Sequence, residues 1–136
     1  MCSTCNTIYC SKICQEIDHQ NGKCYYVANI EKQTLNNKEK GPIIIYNDPS
    51  GRLQVGLMSI NPGDKAEWET HVHLTQFIRV ESGTGTLYLN ENFKQQIGPG
   101  DAAIIPSNTK HMIQSGDAPL QLYTLYAKNT TNIWEH

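Results

Sequence analysis

The chain has 136 residues, 38% of them hydrophobic and 18% charged, which suits one domain with a single core and a small appendage. Its formal net charge is −2, so it lacks the basic field that draws nucleic acid or an anionic membrane surface. No apolar run approaches the roughly 20 residues of a membrane span, and no basic segment leads into an apolar stretch at the N-terminus, so no signal peptide is read and the expected location is cytoplasmic or nuclear.

All five cysteines, Cys2, Cys5, Cys10, Cys14 and Cys24, fall in the first 24 residues. An odd count, tight clustering and a reducing compartment speak against a disulfide framework and for a small metal-binding segment or reactive thiols. This segment, residues 1–24, is set apart from a second domain, residues 25–136. The only places for an amphipathic helix are within residues 11–20 or 28–39. After the polar run Glu31–Lys40, Pro42–Tyr46 reads as a strand, closed by the turn cluster Asn47-Asp48-Pro49-Ser50-Gly51.

From residue 52 to 128 the pattern is strand after strand. Leu53–Ile60 alternates, and Asn61-Pro62-Gly63-Asp64 turns. Glu67–His73 is predicted as the next strand and Phe77–Glu81 as another, with Ser82-Gly83-Thr84-Gly85 as a tight turn. Thr86–Leu89 and Lys94–Ile97 flank Asn90-Glu91-Asn92 as a hairpin. Gly98-Pro99-Gly100-Asp101 turns again, then come Ala102–Ile105, the short Met112–Gln114, and Leu120–Ala127 after Ala118-Pro119. Short strands at this spacing, punctuated by Gly and Pro, indicate an all-β sandwich or barrel.

Within that pattern, His71-Val72-His73 carries the chemistry. Two histidines at i and i+2 on a strand share a face, and a third, His111, arrives from a later strand. Three neutral imidazoles meeting in a β-enclosed pocket make a transition-metal site. The same period-two count puts Glu67 and Glu69 beside the histidines, with Glu69 a candidate general base or partner to a ligand, or a solvated carboxylate at the strand's start. Gln76, Ile78 and Val80 take the inward face, which leaves Phe77 and Arg79 outward, Arg79 pairing with an acid. Tyr88, Tyr123 and Tyr126 line the cavity or fill it.

Two motifs here resemble those of the cupin superfamily. The first reads Gly63, His71-x-His73, Gln76, six residues, Gly83; the second reads Gly100, five residues, Pro106-x-Asn108-x-x-His111. The string Gln76–Gly85 is similar to that of small single-domain cupins of the mannose-6-phosphate isomerase-like group. The resemblance implies a double-stranded β-helix, or jelly-roll, barrel over residues 25–136. It also implies a divalent first-row metal (Fe, Mn, Ni, Cu or Zn) held by His71, His73, Gln76 and His111, and a homodimer. Gln76 replaces the family's usual Glu, and the spacer from His73 is shorter than usual, so the reach of Gln76 to the ion is open. A neutral Gln cancels none of the metal's charge, which makes a bound water more acidic and the ion less tightly held. Asn108 replaces the turn Gly and tolerates positive φ.

The cysteine segment resembles the second half of a MYND-type zinc finger: Cys2-x2-Cys5, Tyr9-Cys10, Cys14-Gln15 and Cys24 match in type and order. The finger's first Cys pair has no counterpart here, and His19 lies earlier than the family's histidine. The resemblance implies at most one structural zinc, on Cys2, Cys5, Cys24 and His19, with Cys10 and Cys14 as alternates, and a protein partner recruited through this segment. The other reading is a remnant with free thiols.

Two functions compete. One is a metal-dependent enzyme acting on a small polar, sugar-like substrate, isomerase-like by resemblance, or alternatively a dioxygenase or lyase. A sugar phosphate would need a cationic anchor, for which Arg52, Arg79, Lys94 and Lys110 are the candidates. The other is a non-catalytic module that holds a small-molecule ligand.

Overall fold

A computed structural model of the chain describes residues 27–36 and 41–129. The cysteine segment, with His19 and the expected zinc ligands, lies outside the described residues. Asn29 starts the helix α1, Ile30–Asn36. Its side-chain oxygen accepts the Lys32 amide at 2.8 Å, a donor the helix start would otherwise leave open, and its carbonyl accepts the Gln33 amide at 3.0 Å as the first bond of the helix. Glu31 in the first turn complements the positive end of the helix dipole. This helix lies within the 28–39 window in which one was expected. Among the described residues no helix is long and apolar enough to cross a membrane.

Nine strands follow among the described residues: β1 (Gly41–Asn47), β2 (Leu53–Ile60), β3 (Lys65–Glu69), β4 (Leu74–Ser82), β5 (Gly85–Leu89), β6 (Phe93–Ile97), β7 (Ala102–Ile105), β8 (His111–Ser115) and β9 (Leu120–Lys128). They form two antiparallel sheets, ordered β1-β2-β9-β4-β7 and β3-β8-β5-β6. The last strand sits at the centre of the larger sheet, pairing with β2 on one side and β4 on the other. This is the all-β jelly-roll architecture that the turn spacing implied.

The core lies between the sheets. Met58, Ile60, Ile78, Val80, Leu120 and Leu122 of the larger sheet meet Leu87, Ile97 and Ile113 of the smaller one, with Ile105 of β7. Side chains alternate along a strand, so Leu57 points away from this cluster, yet it is buried too. The reason is α1, which lies against β2, β4 and β9. The larger sheet is thus covered on both faces, and β2 shows continuous burial from Gly56 to Ile60 instead of a clean alternation.

One expected strand is shorter than its sequence suggested. Glu67–His73 was read as a single strand, but β3 ends at Glu69. Its partner β8 begins at His111, and Glu69 opposite His111 is the last pair of that ladder, after a register shift between Ala66 and Glu69. With no partner backbone beyond this pair, residues 70–73 leave the sheet, and the chain bends at Val72 and His73, directly after His71. Period-two counting therefore does not apply to the two histidines.

Gly83, at φ 82°, turns β4 into β5 where a Cβ would overlap the Pro119 carbonyl. Backbone cannot yield as a flexible side chain can. We expect Gly83→Ala to cost at least about 2 kcal/mol of stability, from strain plus overlap. Gly51→Ala, at φ 74° with open space around it, should cost about 1 kcal/mol. Denaturant unfolding of the two variants checks both values.

Candidate metal centre

The end of the β3–β8 ladder puts Glu69 directly across from His111. The neighbouring bend brings in His71. Each of these three residues offers a ligand atom, and the three atoms lie within 4.8 Å of one another. The His71 and His111 ring centroids are 5.2 Å apart. The bend is pinned by two backbone hydrogen bonds: the Asn108 amide donates to the His71 carbonyl at 2.7 Å, and the Asn129 amide donates to the His73 carbonyl at 2.8 Å. Asn108 can do this because it holds φ at 64°, the left-handed conformation that Asn accepts better than most residues. The residue that turns the chain toward His111 thus also ties down the loop of His71.

The rings present a defined edge. His111 is buried, and its Nδ1 lies 3.0 Å from the Thr109 carbonyl. A carbonyl only accepts, so Nδ1 carries the proton and Nε2 the lone pair. A backbone carbonyl orienting one imidazole nitrogen is the usual way in which the other is aimed at a metal. His111 Nε2 and His71 Nε2 are both buried with no hydrogen-bond partner among the described residues. The Glu69 carboxylate is 3.7 Å from His71 Nε2, too far for a hydrogen bond. The Glu69 side chain is 47% exposed, so the centre opens to solvent on that side.

Gln76 stands behind the histidines on β4, 2% exposed. It is paired across the sheet with Tyr126 of β9. Its Nε2 lies 3.0 Å from Thr124 Oγ1 and 3.4 Å from the Tyr126 hydroxyl, and its Oε1 is buried without a hydrogen-bond partner among the described residues. The Tyr126 ring meets His71 edge-on, with centroids 5.5 Å apart. Burial holds the Tyr126 phenol above its usual pKa; the Glu69 charge adds to this and the hydrogen bond to Thr124 opposes it.

An isolated buried acceptor costs free energy. Here two buried imidazole nitrogens without a hydrogen-bond partner among the described residues stand beside one carboxylate. That donor set suits a divalent transition ion. Glu69, His71 and His111 can hold a metal.

His73 does not join them. It is exposed and is not one of the converging residues, because the bend separates two histidines that a strand would have aligned. Glu69, by contrast, is one of the three residues whose ligand atoms converge. Gln76, Ile78 and Val80 are buried on the inward face of β4, and Arg79 on the outward face pairs with Glu81. Lys110 lies with its Nζ 5.0 Å from the Trp68 ring centroid. Thr124 was missed from sequence. Its signal lay in the parity of β9: Leu120 and Leu122 face the core, which turns Thr124 and Tyr126 the same way.

The two sheets and the His/Glu centre define an all-β barrel with a metal-competent site. Residues 56–126, more than half of the chain, match the Cupin domain family, and the chain belongs to that family. It is 31% identical over 108 residues to the uncharacterized protein YrkC of Bacillus subtilis, covering 75% of this chain and 56% of that one. It is 34% identical over 106 residues to an uncharacterized protein of Acanthamoeba polyphaga mimivirus, covering 75% and 64%. The chain thus spans less than two thirds of the length of either relative. The crystal structure of BH2720 from Bacillus halodurans superposes with a TM-score of 0.73 at 34% identity, over 81% of this chain and 86% of that one.

The double duty of Asn108 is testable. Asn108→Val places a β-branched residue at positive φ and should cost about 1–3 kcal/mol, while Asn108→Gly should be nearly neutral. Thermal unfolding of both variants distinguishes them, and equal losses would show that φ is not what Asn108 supplies.

Proposed function

We propose that the protein is a metal-dependent cupin enzyme whose centre is Glu69, His71 and His111, with Gln76 at its back. The observation that carries this reading is the convergence of ligand atoms of Glu69, His71 and His111 within 4.8 Å of one another, with His71 Nε2 and His111 Nε2 buried and without a hydrogen-bond partner among the described residues. Two imidazoles and one carboxylate, with positions left for a ligand, suit iron(II) in particular, and manganese, nickel, copper or zinc also accept such donors. When bound, the metal would polarise an oxygen of the substrate. The chain's own residues hold the ion, keep the imidazole edges aimed, and leave one side open past Glu69.

The substrate class supported best is a small polar molecule that binds through oxygen. A sugar phosphate needs a cation to anchor it. Of the four anchor candidates, Arg79 is held by Glu81 and Lys110 lies over Trp68, so the phosphate part of an isomerase-like reading has less support than its polar-substrate part.

Metal content tests the centre. Protein purified without a metal-affinity column should carry about one first-row divalent ion per chain beyond any held by the cysteines. His71→Ala and His111→Ala should weaken binding by at least about a hundredfold, and Glu69→Gln by about ten- to a hundredfold. His73→Ala should keep the ion. Elemental analysis and competition with a chelator supply the measurement. Equal metal content in wild type, His71→Ala and His111→Ala would sink the proposal.

A further inference from the structure

The two imidazoles of the centre are held in different ways. The His111 ring is fixed by its Nδ1–H on the Thr109 carbonyl, 3.0 Å away. Among the described residues no hydrogen bond holds the His71 ring. The Asn108 amide ties the His71 carbonyl, but a bond to the backbone leaves the side-chain torsions free to choose among their staggered settings. Around the ring stand the Glu69 carboxylate, 3.7 Å from Nε2, the His111 ring at a centroid distance of 5.2 Å, and the Tyr126 ring at 5.5 Å and 76°. Glu69 and His111 are candidate ligands themselves. Tyr126 is the neighbour left to support the imidazole.

Tyr126 suits that task because its far end is anchored. Thr124 Oγ1 lies 3.1 Å from the Phe77 carbonyl, and a carbonyl only accepts, so the one hydroxyl proton of Thr124 is committed there. The Tyr126 hydroxyl also shares a hydrogen bond with Thr124. With the threonine proton spent, the phenol is the donor of that bond. Gln76 Nε2 donates to the Thr124 oxygen at 3.0 Å, and its second proton faces the Tyr126 oxygen at 3.4 Å. The phenol is thus tied at its oxygen to two side chains, and at its backbone to β4, where Tyr126 pairs with Gln76. A ring held at both ends is a fixed wall. An edge-to-face pair of rings is worth about 0.5–1.5 kcal/mol beyond the area it buries, enough to favour one setting of an imidazole that nothing else orients.

We propose that Tyr126 is the positioning residue of His71: its anchored ring holds the imidazole with Nε2 turned toward Glu69 and His111, the part that the Thr109 carbonyl plays for His111. This inference rests on the metal-centre reading above. The support comes from the aromatic ring and not from the phenol proton. Phenylalanine keeps the ring, which β9 still places, and should lose little. An aliphatic side chain removes the wall. The effect runs through His71, so it should vanish where residue 71 has no imidazole to hold.

The experiment uses the full chain and cobalt(II), with affinity read by competition against a chelator at neutral pH. The cobalt of the centre is the part that His111→Ala fails to hold, which separates it from any ion on the cysteines. Tyr126→Leu should weaken that binding by about ten- to a hundredfold, the usual loss when a group that orients a metal-bound histidine is removed, while Tyr126→Phe should stay within about threefold of wild type. In a His71→Ala background, Tyr126→Leu should change cobalt affinity by less than about threefold, because a residue that acts only through His71 is fully coupled to it. Thermal unfolding of the metal-free variants checks that each is folded. Should Tyr126→Leu fail to fold, Tyr126→Met takes its place with the same expectations. Wild-type affinity in Tyr126→Leu, an equal loss in Tyr126→Phe, or the same loss with and without the His71 imidazole overturns the inference and leaves the metal centre standing. A wild type that holds no more cobalt than His111→Ala overturns the metal centre, and the inference with it.

Discussion

The 2.7 Å hydrogen bond from the Asn108 amide to the His71 carbonyl joins two stretches of chain that the fold otherwise brings close but does not lock. One stretch leaves the sheet after Glu69; the other enters it at His111. Each is a loop end, and loop ends are where a fold is least rigid. Because the bond is between backbones, it holds the chain's path and leaves the imidazoles to be aimed by their own contacts. Asn108 makes the bond from the left-handed region, a conformation that few side chains tolerate. The geometry of the centre depends on that one residue being able to turn.

The polar groups at the centre are arranged against the usual economy of a core. The barrel around them is filled with Met, Ile, Leu and Val, and into that apolar surround the fold places His111, Gln76 and Thr124, all buried. The Thr124 hydroxyl bonds the Phe77 carbonyl and receives the Gln76 amide, so this part of the network is satisfied within the protein. The imidazole edges and the amide oxygen have no hydrogen-bond partner among the described residues. A buried polar group without a hydrogen-bond partner costs of order 1–3 kcal/mol. A cation held by Glu69, His71 and His111 would supply the imidazole edges with that partner.

Much of the barrel was legible because its signals are local. Gly and Pro punctuate the chain, residues between them alternate, and the inward face of β4 follows from Gln76, Ile78 and Val80 by parity alone. The survival of the turn at Asn108 also followed from the residue type. The centre was less legible. His71 and His73 sit two apart in a run that reads as strand, and nothing in that run says that β8 stops at His111 and leaves β3 without a partner after Glu69. The same ending that moved His73 to the exterior promoted Glu69 from a neighbour of the centre to a member of it. Tyr126 was visible as an aromatic in the last strand, but its place behind His71 depends on β9 lying between β2 and β4.

The amino-acid sequence by itself determined the all-β class, the turns, the inward face of β4 and the residue types from which a metal centre is built, since propensity, alternation and side-chain chemistry act over a few residues. Only the tertiary structure decided which of those residues meet. The length of a strand is set by where its partner ends, and the partner of β3 lies more than forty residues downstream. Pairing across that distance turned an expected trio of histidines into two histidines and a glutamate. It also gave the buried amide of Gln76 its direction, through a hydroxyl and a phenol supplied by β9.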